Sequence, residues 1–430
     1  GAMSAGGIIA PFSTMLSADD VKTLIDDADC KVLVFADAWK ELAEAAVEQN
    51  STRILALSNI DTTIECDVPR TDSNADPCNI IYSSGTTGLP KGAVHSHSAR
   101  VWAAAMCANA FRYRPESVVL LTTPPYTNGS WMVVLPAFFT GAHVCLEPGF
   151  NVERFFTQCR TVKPTHAFIV PTQFQMIVDA PGFSPSIFES FHCMITAGAP
   201  MPADLKNKIL DWAPDSLFEL WGLTEVVATV IYPHEILTLR DSVGRALPFS
   251  ELKLIDTHDR EVVLPGSGEI VARSIYQMEG YWNRPKLNQE IQWFDQNGQS
   301  FMRTGDIGEI DEDGYLHIRG RVKDMIISGG LNVFPVDIEE VLRGHPRIED
   351  AAVIGVPHKK WGETPVAYVI ADDPGIDTGD LIAWANDRLS KFQRLSDAVI
   401  SVGDFPRNTL GKVLKRELID DYTSKHSTES

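Results

Sequence analysis

The sequence predicts a multi-domain α/β protein, and three observations point there. Short Val/Ile/Leu-rich runs alternate with helical patterns through the first 322 residues, as in layered α/β folds. From Ser242 the texture shifts to strands and turns. After Arg321-Val322-Lys323-Asp324 a further stretch of about a hundred residues begins, an ordinary size for a small domain. The expected division is therefore a large α/β domain over residues 1–322, with a β-rich part, and a small α+β domain over 323–430.

Taken in order, Lys31–Phe35 reads as a strand and Ala99–Asn109 as a helix capped by Ser96 or Ser98. Val118–Leu121 and His166–Val170 read as strands, the latter followed by Pro171 and a helical stretch Gln173–Val178. Pro265-Gly266-Ser267-Gly268 and Asp311-Glu312-Asp313-Gly314 are hairpin signals. Pro335 suits the first turn of a helix with Ile338, Val341 and Leu342 on one face. Ala351–Val356 is a strand, and Leu381, Trp384, Ala385 and Leu389 mark an amphipathic helix. The polar tail from Thr423 is expected to be disordered.

Composition narrows the partners. The chain has 430 residues, 44% hydrophobic and 22% charged, enough apolar content for sizeable cores. Lys+Arg 37 against Asp+Glu 57 gives a net charge of −20, which argues against a nucleic-acid partner because phosphate neutralisation needs basic patches. Seven scattered cysteines form no C-x-x-C pair, so neither zinc nor a disulfide framework is suggested and a reducing cytoplasm is expected. Val133–Leu146 is the run nearest to a membrane span, but Pro136, Gly141 and His143 interrupt it.

The most informative segment runs from Ile80 to Gly92. An apolar strand enters a loop of hydroxyls, glycines and a lysine: Ser83, Ser84, Gly85, Thr86, Thr87, Gly88 and Lys91. Glycine lets backbone N–H groups turn towards an anion, hydroxyls add donors and lysine adds charge, the parts of a polyphosphate cradle. It is not the Walker A pattern, since Pro90 precedes Lys91 and Gly92 follows it. A plain Ser/Gly/Thr turn between two strands is the other reading.

Four more segments follow in order: Trp221-Gly222-Leu223-Thr224-Glu225, Arg303-Thr304-Gly305-Asp306, Gly320-Arg321-Val322-Lys323-Asp324 and Pro406-Arg407-Asn408-Thr409-Leu410-Gly411-Lys412. With the loop, they resemble the adenylate-forming (ANL) superfamily of acyl-CoA synthetases, peptide-synthetase adenylation domains and luciferases. Ile326 to Gly330 followed by Asn332 is most similar to the acyl-CoA ligase branch. The resemblance implies an ANL-type large domain and a mobile small one. It also implies a two-step reaction, in which a carboxylate and Mg-ATP give an acyl-adenylate and pyrophosphate before CoA thiolate displaces AMP.

The resemblance further implies roles. Ser83, Ser84, Thr86, Thr87 and Lys91 would hold the β- and γ-phosphates, Thr224 would touch the α-phosphate, and Glu225 would hold Mg²⁺, which favours carboxylate and phosphate oxygens. Asp306 and Arg321 would take the ribose, while Gly198-Ala199-Pro200 and Trp221-Gly222 would face adenine. Lys412 would bridge carboxylate and α-phosphate oxygens as charge converges, and Lys323 would be the hinge. Gly329 and Gly330 would face CoA. Without the resemblance, Asp306 fits a turn, Glu225 a helix start, Trp221 a core position, and Lys323 and Lys412 solvated charges.

Trp131, Phe168, Pro171, Gly222, Leu223 and Val227 correspond to acyl-pocket positions, all uncharged, which favours an aromatic, alicyclic or fatty acid. No acid lies between Thr122 and Thr140, which argues against an amino-acid substrate. Three departures stand out. Trp221 replaces a frequent tyrosine, Pro125-Tyr126-Thr127-Asn128-Gly129 lacks a histidine common in relatives, and Ala5–Pro11 resembles a segment that relatives reach only later. The expected activity is an ATP-dependent acyl-CoA ligase using ATP, Mg²⁺ and CoA, with a homodimer as a possible assembly. Two alternatives stand beside it: an amide or ester synthetase serving an amine or carrier protein, and a truncated paralogue that binds nucleotide or a partner without turnover.

Overall fold

In the computed structural model, described residues are 1–48, 50–61, 76–83, 90–373, 375–407 and 412–426, and the side chains of Ser83, Val227 and Ala228 are not included. Ser84, Gly85, Thr86, Thr87 and Gly88 of the hydroxyl-rich loop lie outside the described residues, as do Asn408 to Gly411.

A seven-stranded sheet forms the centre of the large N-terminal part. Five of its strands are parallel: His143–Leu146, Val118–Leu121, His166–Phe168, Cys193–Thr196 and Leu217–Gly222. Val227–Ile231 and Arg245–Ala246 then continue it antiparallel. Strands buried on both faces should be continuously apolar, and Cys193–Thr196 is buried at all four residues. One core lies on one side of the sheet around Phe111, Val133, Phe168 and Phe218. A second lies on the other around Phe155, Phe174, Ile177, Phe188 and Ile209.

Two antiparallel sheets flank this layer. Pro77–Ser83, Lys91–Ser96 and Gly280–Tyr281 make one. Ser250–Ile255, Gly266–Ser274, Ser300–Ile310, Gln292–Phe294 and Leu316–Arg321 make the other. The texture change at Ser242 therefore marks a real change of architecture. The turn Asp311–Gly314 joins the strands on either side of it, as its residues predict. The Pro265–Gly268 signal instead falls where a strand begins at Gly266, and a tighter turn precedes it at Asp256–Arg260.

The C-terminal part has its own sheet: Leu331–Val333, Ile326–Ser328, Gly362–Ala371 and Ile348–His358 are antiparallel, and Asp397–Ile400 pairs parallel with Gly362–Ala371. Helices Pro335–Arg343 and Thr378–Asn386 cover one face through Ile338, Leu342, Leu381 and Ala385. Helix Lys415–His426 covers the other through Leu418, against Ile354, Val366 and Tyr368. The expected disordered tail is thus corrected in part, because Thr423–His426 complete that helix. His426 stacks on Tyr422 at 4.0 Å and Lys425 pairs with Asp421 at 2.8 Å, local contacts that polarity alone conceals. Leu389, expected on this helix, lies beyond its end at Asn386 yet remains in the core.

Among the described residues, no helix is long and apolar enough to cross a membrane.

Helix His97–Ala110 starts at Ser96, whose hydroxyl accepts from the Ala99 N–H at 3.1 Å. An N-cap hydroxyl contributes about 1 kcal/mol. Ser96→Ala is expected to lower unfolding free energy by about that amount in urea titrations; no change would mean the cap is replaceable by another partner.

Candidate functional site

Parallel strands end on one edge of a sheet, and in open α/β sheets ligands bind beyond those carboxyl ends. Here that edge gathers Thr122-Thr123, Val170-Pro171, Gly198-Ala199-Pro200 and the turn after Gly222. Pro171, Gly198-Ala199-Pro200 and the turn carrying Leu223, Thr224 and Glu225 therefore share one rim, although they are scattered along the chain.

The hairpin of the hydroxyl-rich loop has its base here. Ser83 pairs with Lys91 in register, so the strands Pro77–Ser83 and Lys91–Ser96 present both ends of the loop together. Gly92 sits where an added Cβ would come within 2.6 Å of Ile80 and 3.2 Å of the Tyr82 ring, so only glycine fits without displacement. Lys91 Nζ lies 5.4 Å from the centroid of the Tyr281 ring, a cation–π distance.

Tyr281 leads to the acidic residue. Its hydroxyl donates to Glu225 Oε1 at 2.5 Å, and the Met278 N–H donates to the Glu225 carbonyl at 2.9 Å. Leu223 N–H to Val226 O at 2.8 Å closes the turn that carries Thr224 and Glu225. Glu225 is buried, and its hydrogen bond to Tyr281 offsets part of the desolvation cost. Burial, then the Glu225 carboxylate, drives the Tyr281 hydroxyl well above the usual phenol range, so it donates throughout ordinary pH.

Asp306 is the electrostatic focus. It lies on strand Ser300–Ile310, only 7% exposed, opposite Arg321 in the antiparallel register. Arg321 Nε is 3.0 Å from Asp306 Oδ1, an ion-pair contact rather than an aligned hydrogen bond. Trp221 Nε1 donates to Oδ2 at 3.2 Å. Burial raises the Asp306 carboxyl while Arg321 and Lys412 oppose the rise. Lys412 reaches this point from the C-terminal part, and burial followed by the Arg321 charge pushes its amine down to about 8, with Lys323 adding to the fall. Cations lower one another's pKa only when held close. In a chain of net charge −20, this is a local pocket of positive potential able to draw in an anion.

Residues 1–282 match the family profile of the AMP-binding enzyme, and residues 337–412 match that of the AMP-binding enzyme C-terminal domain. The chain belongs to the AMP-binding enzyme family. Long-chain-fatty-acid–CoA ligase FadD13 of Mycobacterium tuberculosis is similar at 32% identity over 441 residues, covering 99% of this chain and 85% of that protein. Feruloyl-CoA synthase of an Amycolatopsis species is similar at 30% over 425 residues, covering 96% and 84%. The crystal structure of ATP-bound MatB from Rhodopseudomonas palustris superimposes with a TM-score of 0.88 at 27% identity, covering 98% of this chain and 85% of that one. This AMP-binding enzyme is thus an α/β protein with the superfamily's large N-terminal and small C-terminal parts.

Within the AMP-binding fold the acyl and CoA positions fall on several elements. Phe168 is in the core beneath helix Asn128–Thr140, and an added Cβ on Gly129 would lie 2.7 Å from its ring. Trp131 is on the same helix, its indole N–H bonded to Pro125 O at 2.9 Å. Pro171 opens helix Pro171–Asp179. Leu223 packs with Trp221 on Ala93, Val226, Met278 and Tyr281, on the Glu225 side. Gly329 and Gly330 make the tight turn between Ile326–Ser328 and Leu331–Val333 with φ of 60° and 81°, a conformation that itself calls for glycine. The Gly329 N–H donates to Trp361 O at 2.8 Å. Tyr281, His95 and Arg100 escaped the sequence reading, because no motif spacing links them to Thr224 or Glu225.

Lys412 is expected to titrate near 8 in the unliganded protein, protonated below and neutral above. Asp306→Asn should lower that value further, whereas Lys323→Ala should raise it, because Asp306 raises and Lys323 lowers it. NMR of labelled lysine side chains reads all three proteins; an ordinary value of 10.5 in the parent chain would contradict the convergence of charge.

Proposed function

We propose that this chain is an ATP-dependent acyl-CoA ligase, AMP-forming, acting on a hydrophobic carboxylic acid of the aromatic, alicyclic or fatty class. The observation that carries the reading is the grouping of Arg321, Lys323 and Lys412 about buried Asp306, beside the rim holding Thr224 and Glu225. Attack of one anion on another needs positioning and charge neutralisation more than covalent help.

In the first step a carboxylate oxygen bonds to the α-phosphorus of ATP and pyrophosphate leaves. Lys412 would neutralise charge between carboxylate and α-phosphate, with Thr224 touching that phosphate. Ser83, Ser84, Gly85, Thr86, Thr87, Gly88 and Lys91 would hold the outer phosphates. Asp306 has lone pairs beyond those facing Trp221 and Arg321, so both ribose hydroxyls can still be accepted. Trp221, Gly222 and Gly198-Ala199-Pro200 would face adenine. In the second step CoA thiolate bonds to the acyl carbon and AMP leaves, with Gly329 and Gly330 facing CoA.

Magnesium fits this residue set. Among the described residues no group of three His, Cys, Asp or Glu could enclose a metal. Buried Glu225 offers a single carboxylate, one oxygen already engaged by Tyr281, which suits an ion sharing its shell with phosphates and water. The ion would supply charge neutralisation at the phosphates.

The acyl pocket is assigned to Trp131, Phe168, Pro171, Leu223 and Val227. The domains are assigned to residues 1–322 and 323–430, with the hinge at Lys323. Exposed Lys323 occupies the short turn Val322–Asp324 between strands of the two sheets, which supports a pivot there. A reducing cytoplasm suits the described cysteines, all of them free, with burial raising Cys78 to about 11 and Cys107 to about 12.

The test is pyrophosphate release from Mg-ATP with a panel of aromatic, alicyclic and fatty acids, with and without CoA. Acid-dependent release that CoA converts from a burst to steady turnover supports the ligase. Turnover sustained by an amine instead would replace it with an amide-forming reading, and tight ATP binding without release would favour a non-catalytic paralogue.

Lys412→Ala is expected to slow adenylation by orders of magnitude while thioester formation from supplied acyl-adenylate persists. Equal loss in both halves would overturn the role of Lys412. Lys323→Pro should block the second half-reaction and spare the first; unimpaired thioester synthesis would remove the hinge.

A further inference from the structure

Arg100 is a buried cation, and among the described residues no carboxylate pairs with it. Burying a guanidinium without a counter-ion is costly, so its partners must earn their place by hydrogen bonding. Its Nε donates to Asn79 Oδ1 at 2.8 Å and one terminal nitrogen donates to Asn128 Oδ1 at 2.9 Å. The other terminal nitrogen lies 3.2 Å from His95 Nδ1, and the guanidinium stands 5.0 Å from the Trp131 ring centroid. The Asn79 amide is turned so far in favour of Arg100 that its buried Nδ2 is left without a partner, a penalty of about 1–3 kcal/mol.

His95 carries the chain onward. It is 2% exposed, and its Nε2 lies 3.0 Å from the Thr224 carbonyl oxygen. An arginine only donates, so Nδ1 must accept. Burial, and then the adjacent Arg100 charge, hold the ring neutral, well below the ordinary histidine value, against the opposing pull of the Thr224 and Ala93 carbonyls. A neutral ring accepting at Nδ1 carries its one proton on Nε2, and that N–H points at Thr224 O. The peptide between Thr224 and Glu225 is thereby held by His95, while Tyr281 and Met278 hold Glu225.

We propose that Arg100 and His95 are positioning residues for the adenylation step: Arg100 fixes the His95 tautomer, and His95 clamps the Thr224 carbonyl so that the Thr224 hydroxyl and Glu225 carboxylate face the α-phosphate and its metal. The proposal rests on the ligase reading above. Asn128 and Trp131, both half-buried, join the clamp to the helix at the acyl side, so one network spans from that helix to the nucleotide turn.

Three full-length variants test it. His95→Gln keeps an N–H for Thr224 and an oxygen for Arg100, His95→Leu keeps neither, and Arg100→Met removes the donor to Nδ1. Thermal midpoints and acid-dependent ATP–pyrophosphate exchange are measured for all, with ¹⁵N spectra of histidine-labelled parent and Arg100→Met. Loss of a group that orients a site residue commonly costs 10–100-fold. His95→Leu is therefore expected to lose roughly that factor in kcat, with KM for ATP and acid little changed. His95→Gln should recover most of the loss. The parent should show His95 protonated at Nε2 alone, and Arg100→Met a mixture of tautomers.

Unchanged kcat in folded His95→Leu, or His95→Gln as slow as His95→Leu, would reduce the network to packing. A parent His95 protonated at Nδ1 would overturn the clamp even if the variants fail to fold. A parent chain with the expected tautomer but no acid-dependent exchange would instead sink the ligase reading and, with it, the catalytic purpose of the clamp.

Discussion

Everything at this site turns on keeping a carboxylate charged inside protein. Asp306 is nearly sealed from water, and its desolvation would favour the neutral acid. Three separate parts of the chain oppose that. Arg321 comes from the neighbouring strand, Trp221 from the central sheet, and Lys412 from beyond the C-terminal sheet. Satisfying one buried anion thus draws together the antiparallel sheet, the parallel sheet and the C-terminal part. Counting Lys323, three cations stand against two carboxylates, Asp306 and Asp324. That surplus is what an incoming polyphosphate would meet, and it explains why so acidic a chain can still favour an anionic ligand.

The turn after Gly222 shows the complementary design. Its residues have little secondary structure of their own, yet Thr224 and Glu225 are held by His95, Tyr281 and Met278, residues distant in sequence. A flexible turn would have to lose conformational entropy at every encounter with ligand. Hydrogen bonds from rigid strands pre-empt that loss, because Lys91–Ser96 and Gly280–Tyr281 are themselves paired in register. The tight packing at Gly92 against Ile80 and Tyr82 keeps the hairpin base from drifting.

Legibility from sequence followed the range of the physical interaction. Ser96 as a cap, Pro171 and Pro335 as first helical residues, and the Asp311–Gly314 turn are set by contacts within a few residues, and the structure reproduces them. Strand ends were less legible: His166–Val170 contracts to His166–Phe168, whereas Ala351–Val356 lengthens to Ile348–His358. Ladder partners set those limits. The polar end of helix Lys415–His426 carries no sequence signal of helix, because the helix holds the sheet through Leu418, several residues earlier. At the site, Trp221, Thr224, Glu225, Asp306, Arg321 and Lys412 belonged to recognisable segments. Tyr281, His95 and Arg100 did not, since each acts through a partner that only folding brings near.

By itself, then, the sequence determined the layered α/β class, the order of the family's motifs, and the small C-terminal unit, because periodicity, turn chemistry and short motifs are local. Tertiary structure decided which groups meet. Arg321 faces Asp306 through strand register, Trp221 reaches the same carboxylate across sheets, and Arg100 lies behind Thr224 through a histidine. The physical reason is that charge and hydrogen-bond satisfaction act through space, over a few ångströms, between residues that the chain separates by tens or hundreds of positions.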